Sequence, residues 1–279
     1  MLYPAELRDL RVALSLNGGV VEGGMMGRLF AILAGLLLAA CTPPSPLPDM
    51  EAGEARRVVR VIDGDALALN TGQSVRLIGI EAPALRPRGR EPDTYAVEAQ
   101  RALEDMALGR EVRLYYSGMT RDRYDRALAH VVTTDGAGPE LWLNMELVRS
   151  GAAWVRFYPD TASNEAAFLD AEAQGRAEKK GLWGKAAYRI RDAARLPADT
   201  RGFVLITAVL GAVSAPTGKY ADNQTCQRAL DGAELVLEIR KDASEICDLP
   251  DGTKLRLRGW VSSSRMDLTL PQHAEALID

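Results

Sequence analysis

From position 57 the chain reads Arg-Val-Val-Arg-Val-Ile, breaks at Asp63, Gly64 and Asp65, and returns to apolar positions at Ala66, Leu67 and Leu69. A second such run covers residues 74–80. Apolar and polar positions alternating with a period of two, interrupted by an Asp-Gly turn, predict strands joined as hairpins. Residues 93–108 change to a helical period that stops at Gly109, with Asp93 or Thr94 as N-cap. Strands are expected again over 111–117 and 127–133, either side of the polar turn Asp122-Arg-Tyr-Asp-Arg126. Helices are expected over about 143–150 and 162–180, the last stopped by Gly181. Beyond position 200 the pattern is strands only, over 202–213, 233–240, 254–262 and 266–270, with Leu255-Arg-Leu-Arg-Gly-Trp-Val261 alternating cleanly. The order predicts an α+β, mainly β chain, with a small antiparallel barrel and three helices over 55–195 and a second small β domain over 200–279.

The amino-terminal pattern is different. Residues 29–40 are twelve uncharged positions after Arg28, too few to span a bilayer as an ordinary helix and suited to the hydrophobic region of a signal peptide. Leu38-Ala39-Ala40-Cys41 resembles the lipobox of bacterial lipoproteins, in which the cysteine takes the lipid. The expectation is a signal peptide over 25–41, a true start at Met25 or Met26, and a mis-assigned segment over 1–24. Four prolines between Thr42 and Asp49 then predict an extended tether over 42–54. On this reading the protein is anchored in the bacterial cell envelope by lipid on Cys41, at the periplasmic face of the outer membrane.

Composition narrows the chemistry. Two histidines and three cysteines exclude a His-rich metal site and a Cys₄ cluster, so a metal would be held by oxygen and would be a hard cation such as calcium or magnesium. Once Cys41 is set aside, Cys226 and Cys247 are an even pair, and both a disulfide and two unpaired buried thiols remain open. The net charge of −4 is uneven: −2 over residues 1–53, +1 over 54–198 and −3 over 199–279. The central block holds the arginine groups Arg86, Arg88, Arg90 and Arg121, Arg123, Arg126, able to bind phosphate locally although the chain is acidic.

Five segments in order, Val-Ile-Asp-Gly-Asp, Val-Arg-Leu-Ile-Gly-Ile-Glu-Ala-Pro, Asp-Arg-Tyr-Asp-Arg, Leu-Val-Arg-Ser-Gly-Ala-Ala and Ala-Glu-Lys-Lys-Gly-Leu-Trp, resemble the staphylococcal nuclease (thermonuclease) family over about residues 56–185. The resemblance implies a five-stranded OB barrel with three helices and calcium-dependent hydrolysis of DNA and RNA phosphodiesters. It implies calcium on Asp65 and Glu81, with Asp63 as a supporting carboxylate. Arg76 and Arg126 would clamp the scissile phosphate. Arg123 and Tyr124 would hold the nucleotide, and Phe157 or Tyr158, with Tyr158 preferred, would stack on it. Two guanidiniums and a divalent ion suit this reaction, because attack on a phosphodiester builds negative charge on its oxygens. The strands beyond 200 resemble the small OB-like extension of some proteobacterial members.

The departures from the family are specific. Glu81 stands where the family has aspartate, Ala66 where it has threonine, Asp125 where it has glycine, and Ala84 where it has the glutamate that activates water. Loss of a general base costs about 10²- to 10⁴-fold in rate. Glu91 and Glu98 are considered as replacements and set aside. His130 is expected to be a packed histidine within its strand, and Trp142, Trp154 and Trp183 to be core. The reading is a degenerate thermonuclease-like lipoprotein that keeps its calcium- and phosphate-binding groups and acts as a nucleic-acid or envelope binding module. The alternatives are an active calcium-dependent endonuclease and a scaffold without a ligand.

Overall fold

Alternating strands separated by short turns curl into two barrels in the computed structural model, which describes residues 45–85, 91–218 and 221–277. The first uses β1 (Glu51–Asp63), β2 (Ala66–Leu69), β3 (Ser74–Leu77), β5 (Glu111–Tyr116) and β6 (Ala127–Thr133), closed in the order β1-β2-β3-β6-β5. The short β4 (Ile80–Glu81) pairs instead with β7 (Trp154–Val155). Three α-helices cover the barrel: α1 (Ala96–Ala107), α2 (Leu143–Arg149) and α3 (Glu165–Ala177). Their apolar faces meet inward-pointing strand residues in one core that includes Leu67, Leu77, Leu103, Leu114, Leu147 and Phe168.

The second barrel has the same plan. Its strands are β9 (Gly202–Ser214), β10 (Gln224–Leu230), β11 (Val236–Arg240), β12 (Lys254–Ser262) and β13 (Arg265–Leu268), with β8 (Arg191–Asp192) and β14 (Ala274–Ala276) added at the margins. β12 pairs back on β9 through eight residue pairs and closes the ring. In both barrels the third and fifth strands pair in parallel, β3 with β6 and β11 with β13. A helical segment precedes the fourth strand in each, α1 in the first and the 3₁₀ stretch Lys241–Cys247 in the second. The fold is therefore the staphylococcal-nuclease-type OB barrel expected from the sequence, followed by a second OB-like barrel.

Four expectations are corrected. The tether expected over 42–54 ends earlier, because Leu47 and Met50 bury against Tyr115 and Val132, and β1 starts at Glu51, paired with Tyr116 of β5. β10 has no counterpart in the predicted strands. Helix α1 starts after Tyr95, in left-handed backbone at φ 73, rather than at an Asp93 or Thr94 cap. Asp93 is engaged elsewhere: it donates its N–H to the Ala84 carbonyl at 3.0 Å and accepts the Ala84 N–H on its carboxylate at 3.2 Å. Finally, Arg191 and Asp192 of the first predicted domain pair with β9 and belong to the second sheet. Cys41 and the 25–41 signal peptide, the 1–24 segment and the cluster Arg86, Arg88 and Arg90 lie outside the described residues.

Residues 47–279 are one compact unit, and the two barrels share an interface within it. Leu270 enters the first barrel's core, and the rings of Trp154 and Phe203 stack with centroids 5.0 Å apart. Arg258 of β12 donates to the Val155 carbonyl at 3.2 Å and to the buried carboxylate of Glu172 on α3.

Candidate functional site

The β1–β2 turn places the first carboxylate. A Cβ on Gly64 would lie 2.6 Å from the Ala82 methyl and 2.8 Å from that of Ala99, so only glycine lets this turn sit so tightly against the chain after β4. That approach brings the Ala82 N–H to Asp65 Oδ2 at 2.7 Å. Across the β2–β3 ladder Ala66 faces Arg76, which puts Arg76 Nη1 2.5 Å from Asp65 Oδ1. Arg76 Nη2 also lies 3.8 Å from Glu81 Oε2, and Arg156, just past β7, donates to the same Glu81 oxygen. Asp63, at the end of β1, accepts the N–H groups of Gly64 at 2.8 Å and Leu85 at 3.3 Å.

Asp65 is almost wholly buried, at 1% exposure, and its charge is incompletely compensated. Burial is the largest influence on its carboxyl, and with the repulsion of Asp63 it outweighs Arg76 and the Ala82 N–H, so the pKa is raised above the ordinary aspartate value. Asp63 is raised as well, by burial first and then by Asp93, against its two N–H donors and Arg76. Two oxygen-donor side chains, Asp65 and Glu81, thus converge on one guanidinium. Among the described residues no three His, Cys, Asp or Glu side chains are arranged to hold a metal ion.

Residues 74–185 match the family model described as staphylococcal nuclease homologue. The thermonuclease of Staphylococcus intermedius is 34% identical over 133 residues, 47% of this chain and 75% of that protein. The thermonuclease of Staphylococcus hyicus is 30% identical over 130 residues, 46% of this chain and 74% of its own length. The chain belongs to the staphylococcal nuclease family. A probable endonuclease LCL3 of Phaeosphaeria nodorum is 34% identical over 134 residues, but the match spans only 43% of that relative's length.

The staphylococcal nuclease motifs do not all converge. Asp63, Asp65, Arg76 and Glu81 form one group. Arg126 turns back on its own loop, with Nε 2.7 Å and Nη2 2.6 Å from Asp122 Oδ2, while adding a favourable charge at Asp65. Arg123 and Tyr124 are on the exposed side of that loop, Arg123 Nη2 donating to the Tyr124 hydroxyl at 2.8 Å. Asp125, where the family has glycine, adopts left-handed backbone at φ 59. Phe157 is buried in the core, whereas Tyr158 is exposed with the Arg156 guanidinium 4.9 Å from its ring centroid. His130 is fully buried, accepting from Trp142 Nε1 at 3.3 Å and facing Ser163 Oγ at 2.9 Å. Trp142 is partly buried against the core, and Trp154 and Trp183 are buried. Cys226 and Cys247 are joined by a disulfide, with Cα atoms 6.1 Å apart.

Three residues around this site were given no part in it by the sequence, where Asp93 was expected only as a helix cap. Arg156 binds Glu81, Asp93 clamps the main chain at Ala84, and Trp260 of the second barrel lies 5.1 Å from the Arg156 guanidinium, ring centroid to Cζ. Glu81, Ala84, Asp93 and Trp260 line one cleft of about 880 Å³. The only local signal was an arginine placed directly after the buried Trp154-Val155 pair. The other two depend on chain crossings that no motif records.

Proposed function

We propose that this protein binds nucleic acid through the phosphate-directed group of Asp65, Arg76 and Glu81, hydrolyses it slowly, and does so from the bacterial envelope, where lipid on Cys41 anchors it. One observation carries the reading: Asp65 and Glu81 meet on the Arg76 guanidinium, and Glu81 also lines a cleft in which position 84 offers only a methyl group. Arg76 would give up part of its pairing with Asp65 to donate to a phosphate oxygen, and Arg126 would swing from Asp122 to a second oxygen. Asp65 and Glu81 would hold calcium. Two carboxylates suit a hard cation whose remaining ligands are water, carbonyls and substrate phosphate. The ion, when bound, offsets negative charge on the phosphoryl oxygens. Ala84 can accept no proton, so activation of water is the step this site lacks.

A second reading rests on Asp93. Its carboxylate reaches the Ala84 N–H and the residue lines the same cleft, so it would be a substitute for the absent base. Single-stranded DNA incubated with the chain from Thr42, with calcium or with chelator, separates the two. Slow or absent cleavage by the wild type and a gain of about 10²- to 10⁴-fold in Ala84→Glu support an impaired site. Efficient wild-type cleavage that disappears in Asp93→Asn supports an active enzyme and removes the first reading. For the anchor, incorporation of labelled fatty acid that is lost in Cys41→Ser is the expected result, and labelling that persists in the variant would remove Cys41 as the lipid site.

A further inference from the structure

The cleft does not end at the first barrel. Beyond Glu81, Ala84 and Asp93 its wall continues into Tyr188, Phe203 and Trp260, with Arg191 and Arg201 on the same wall. Trp260 is 48% exposed, unusual for the largest apolar ring in a strand that otherwise buries Leu255, Leu257 and Val261. Its position follows from the β9–β12 ladder, where Trp260 faces Phe203 and Val261 faces Gly202. Arg156 connects the two halves. Its guanidinium binds Glu81 and sits near the rings of both Tyr158 of the first barrel and Trp260 of the second.

Aromatic faces next to guanidiniums, continuous with a phosphate-directed site, are what a single strand of nucleic acid requires. Each base offers a π-face to stack, and each linkage offers an anion. A duplex has its bases already stacked and would meet this wall with its backbone alone. We infer that the second barrel supplies a base-stacking subsite for single-stranded nucleic acid, with Trp260 as the platform and Arg201 and Arg191 following the backbone, so that one strand runs from Arg76 across the barrel junction. This rests on the proposed binding at Asp65, Arg76 and Glu81. It differs from that reading in giving the second barrel a direct contact with the ligand.

The test compares two ligands in chelator, where cleavage is suppressed: a 5′-phosphorylated thymidine dinucleotide, short enough to occupy the first barrel alone, and an oligothymidylate of about ten nucleotides, within the footprint of such barrels. Affinities are read by competition against a labelled strand for wild type, Trp260→Ala, Trp260→Phe, Arg201→Ala and Arg76→Ala. The expected result is that Trp260→Ala weakens the longer strand about 5- to 150-fold and leaves the dinucleotide unchanged. Trp260→Phe should restore most of the loss, and Arg201→Ala should lower the salt dependence for the longer strand only. If the longer strand binds wild type, is weakened by Arg76→Ala and is indifferent to Trp260→Ala and Arg201→Ala, the subsite is overturned while the binding function stands. Equal weakening of both ligands by Trp260→Ala also overturns it, since the ring would then act only through Arg156. If neither ligand binds wild type, the functional reading itself fails. Should Trp260→Ala not fold, the exposed Arg201→Ala decides the matter, by weakening the longer strand and lowering its salt dependence or by leaving both unchanged.

Discussion

Asp65 and Glu172 are both buried beside arginines, and they are held in opposite ways. Glu172, on α3 under the barrel junction, accepts the Val155 N–H at 2.8 Å and is gripped by the guanidiniums of Arg258 and Arg176. Burial alone would raise its pKa, but Arg258, Arg176 and the Val155 N–H outweigh it, and the carboxyl lies below the ordinary glutamate value. Asp65 has one guanidinium, one N–H and a neighbouring carboxylate, and its pKa is raised. In the first arrangement two guanidiniums and an N–H more than answer the one carboxylate, and Arg176 is itself lowered, by burial and by Arg258 beside it. In the second, burial and the neighbouring Asp63 outweigh the arginine and the N–H. Burial and an arginine neighbour therefore do not separate a structural pair from a functional one; the balance of compensation does.

Neutralising each carboxylate in turn is the sharpest way to break this comparison. Glu172→Gln leaves Arg258 and Arg176 facing each other in a dry junction. Breaking a buried pair from one side costs about 3–5 kcal/mol, and a loss of that size is expected in denaturant unfolding. Asp65→Asn removes a charge that the fold only partly compensates, so its stability change should stay within about 1 kcal/mol while affinity for calcium and nucleotide collapses. Equal destabilisation by the two variants would show that the contrast is an artefact of counting partners.

The next largest effect tests whether the junction makes the barrels one cooperative unit. The Cys226–Cys247 link closes a loop across 21 positions, worth about 3 kcal/mol in chain entropy. Reduction should lower the stability of the whole 47–279 unit in a single transition. In Glu172→Gln the same reduction should split the unfolding curve in two, the second barrel melting first. A split already present in the reduced wild type would mean that Glu172 and Arg258 do not couple the barrels.

Protons give a smaller, graded effect. His130 is pushed down to about 3 by burial, and His273 to about 4 by burial and then by Arg258 and Arg156, against a hydrogen bond to the Phe157 backbone. Both are neutral in the folded chain and protonate near ~6.5 when it unfolds. Their stabilising effect is therefore complete above that value and lost as pH falls toward their folded values. The slope should reach at most about 1.4 kcal/mol per pH unit for each histidine. Glu172, lowered in the fold, adds a loss only at lower pH, below the ~4.3 of a free glutamate. Asp63 and Asp65, raised in the fold, act in the opposite sense as pH falls. In unfolding curves taken between pH 7 and 4, His273→Gln should therefore flatten the slope by at most about 1.4 kcal/mol per pH unit and leave the His130 contribution in place. An unchanged slope would mean that His273 protonates in place.

How far the sequence announced all this depends on how far apart the partners are. Asp63, Asp65, Arg76 and Glu81 lie within nineteen positions and are brought together by two hairpins, so a local motif was enough to find them. Arg156 reaches Glu81 from 75 positions away and Arg258 reaches Glu172 from 86, distances over which no pattern in one chain speaks. The missed strand β10 has a different cause. Gln227 and Arg228 are buried in it, bound by Thr217, Gln224, the Cys247 carbonyl and Asp251, so the expected alternation is hidden by buried polar residues. Likewise the tether ran too long on paper because proline content marks a start well, while the end depends on where Leu47 and Met50 find Tyr115.

The smallest effect concerns the loop that carries Arg126. Asp125 is held at φ 59, a conformation that costs a side chain of this kind up to about 1 kcal/mol relative to glycine. Its carboxylate is 88% exposed and only 3.6 Å from Arg121, a contact of negligible worth in water. What holds the turn is backbone: the Asp125 carbonyl accepts from Gln73 Nε2 at 2.9 Å and Arg121 Nη1 at 3.2 Å, and its N–H donates to the Asp122 carbonyl at 3.0 Å. None of these is lost in Asp125→Gly. The variant should therefore be more stable by a few tenths of a kcal/mol up to about 1 kcal/mol, read as a rise in melting temperature. Nucleotide affinity should rise slightly as well, since one negative charge leaves the loop through which Arg126 would approach a phosphate. A fall in stability would mean that the carboxylate, and not the main chain, maintains this turn, and that the poised site depends on a surface charge the closed junction has no need of.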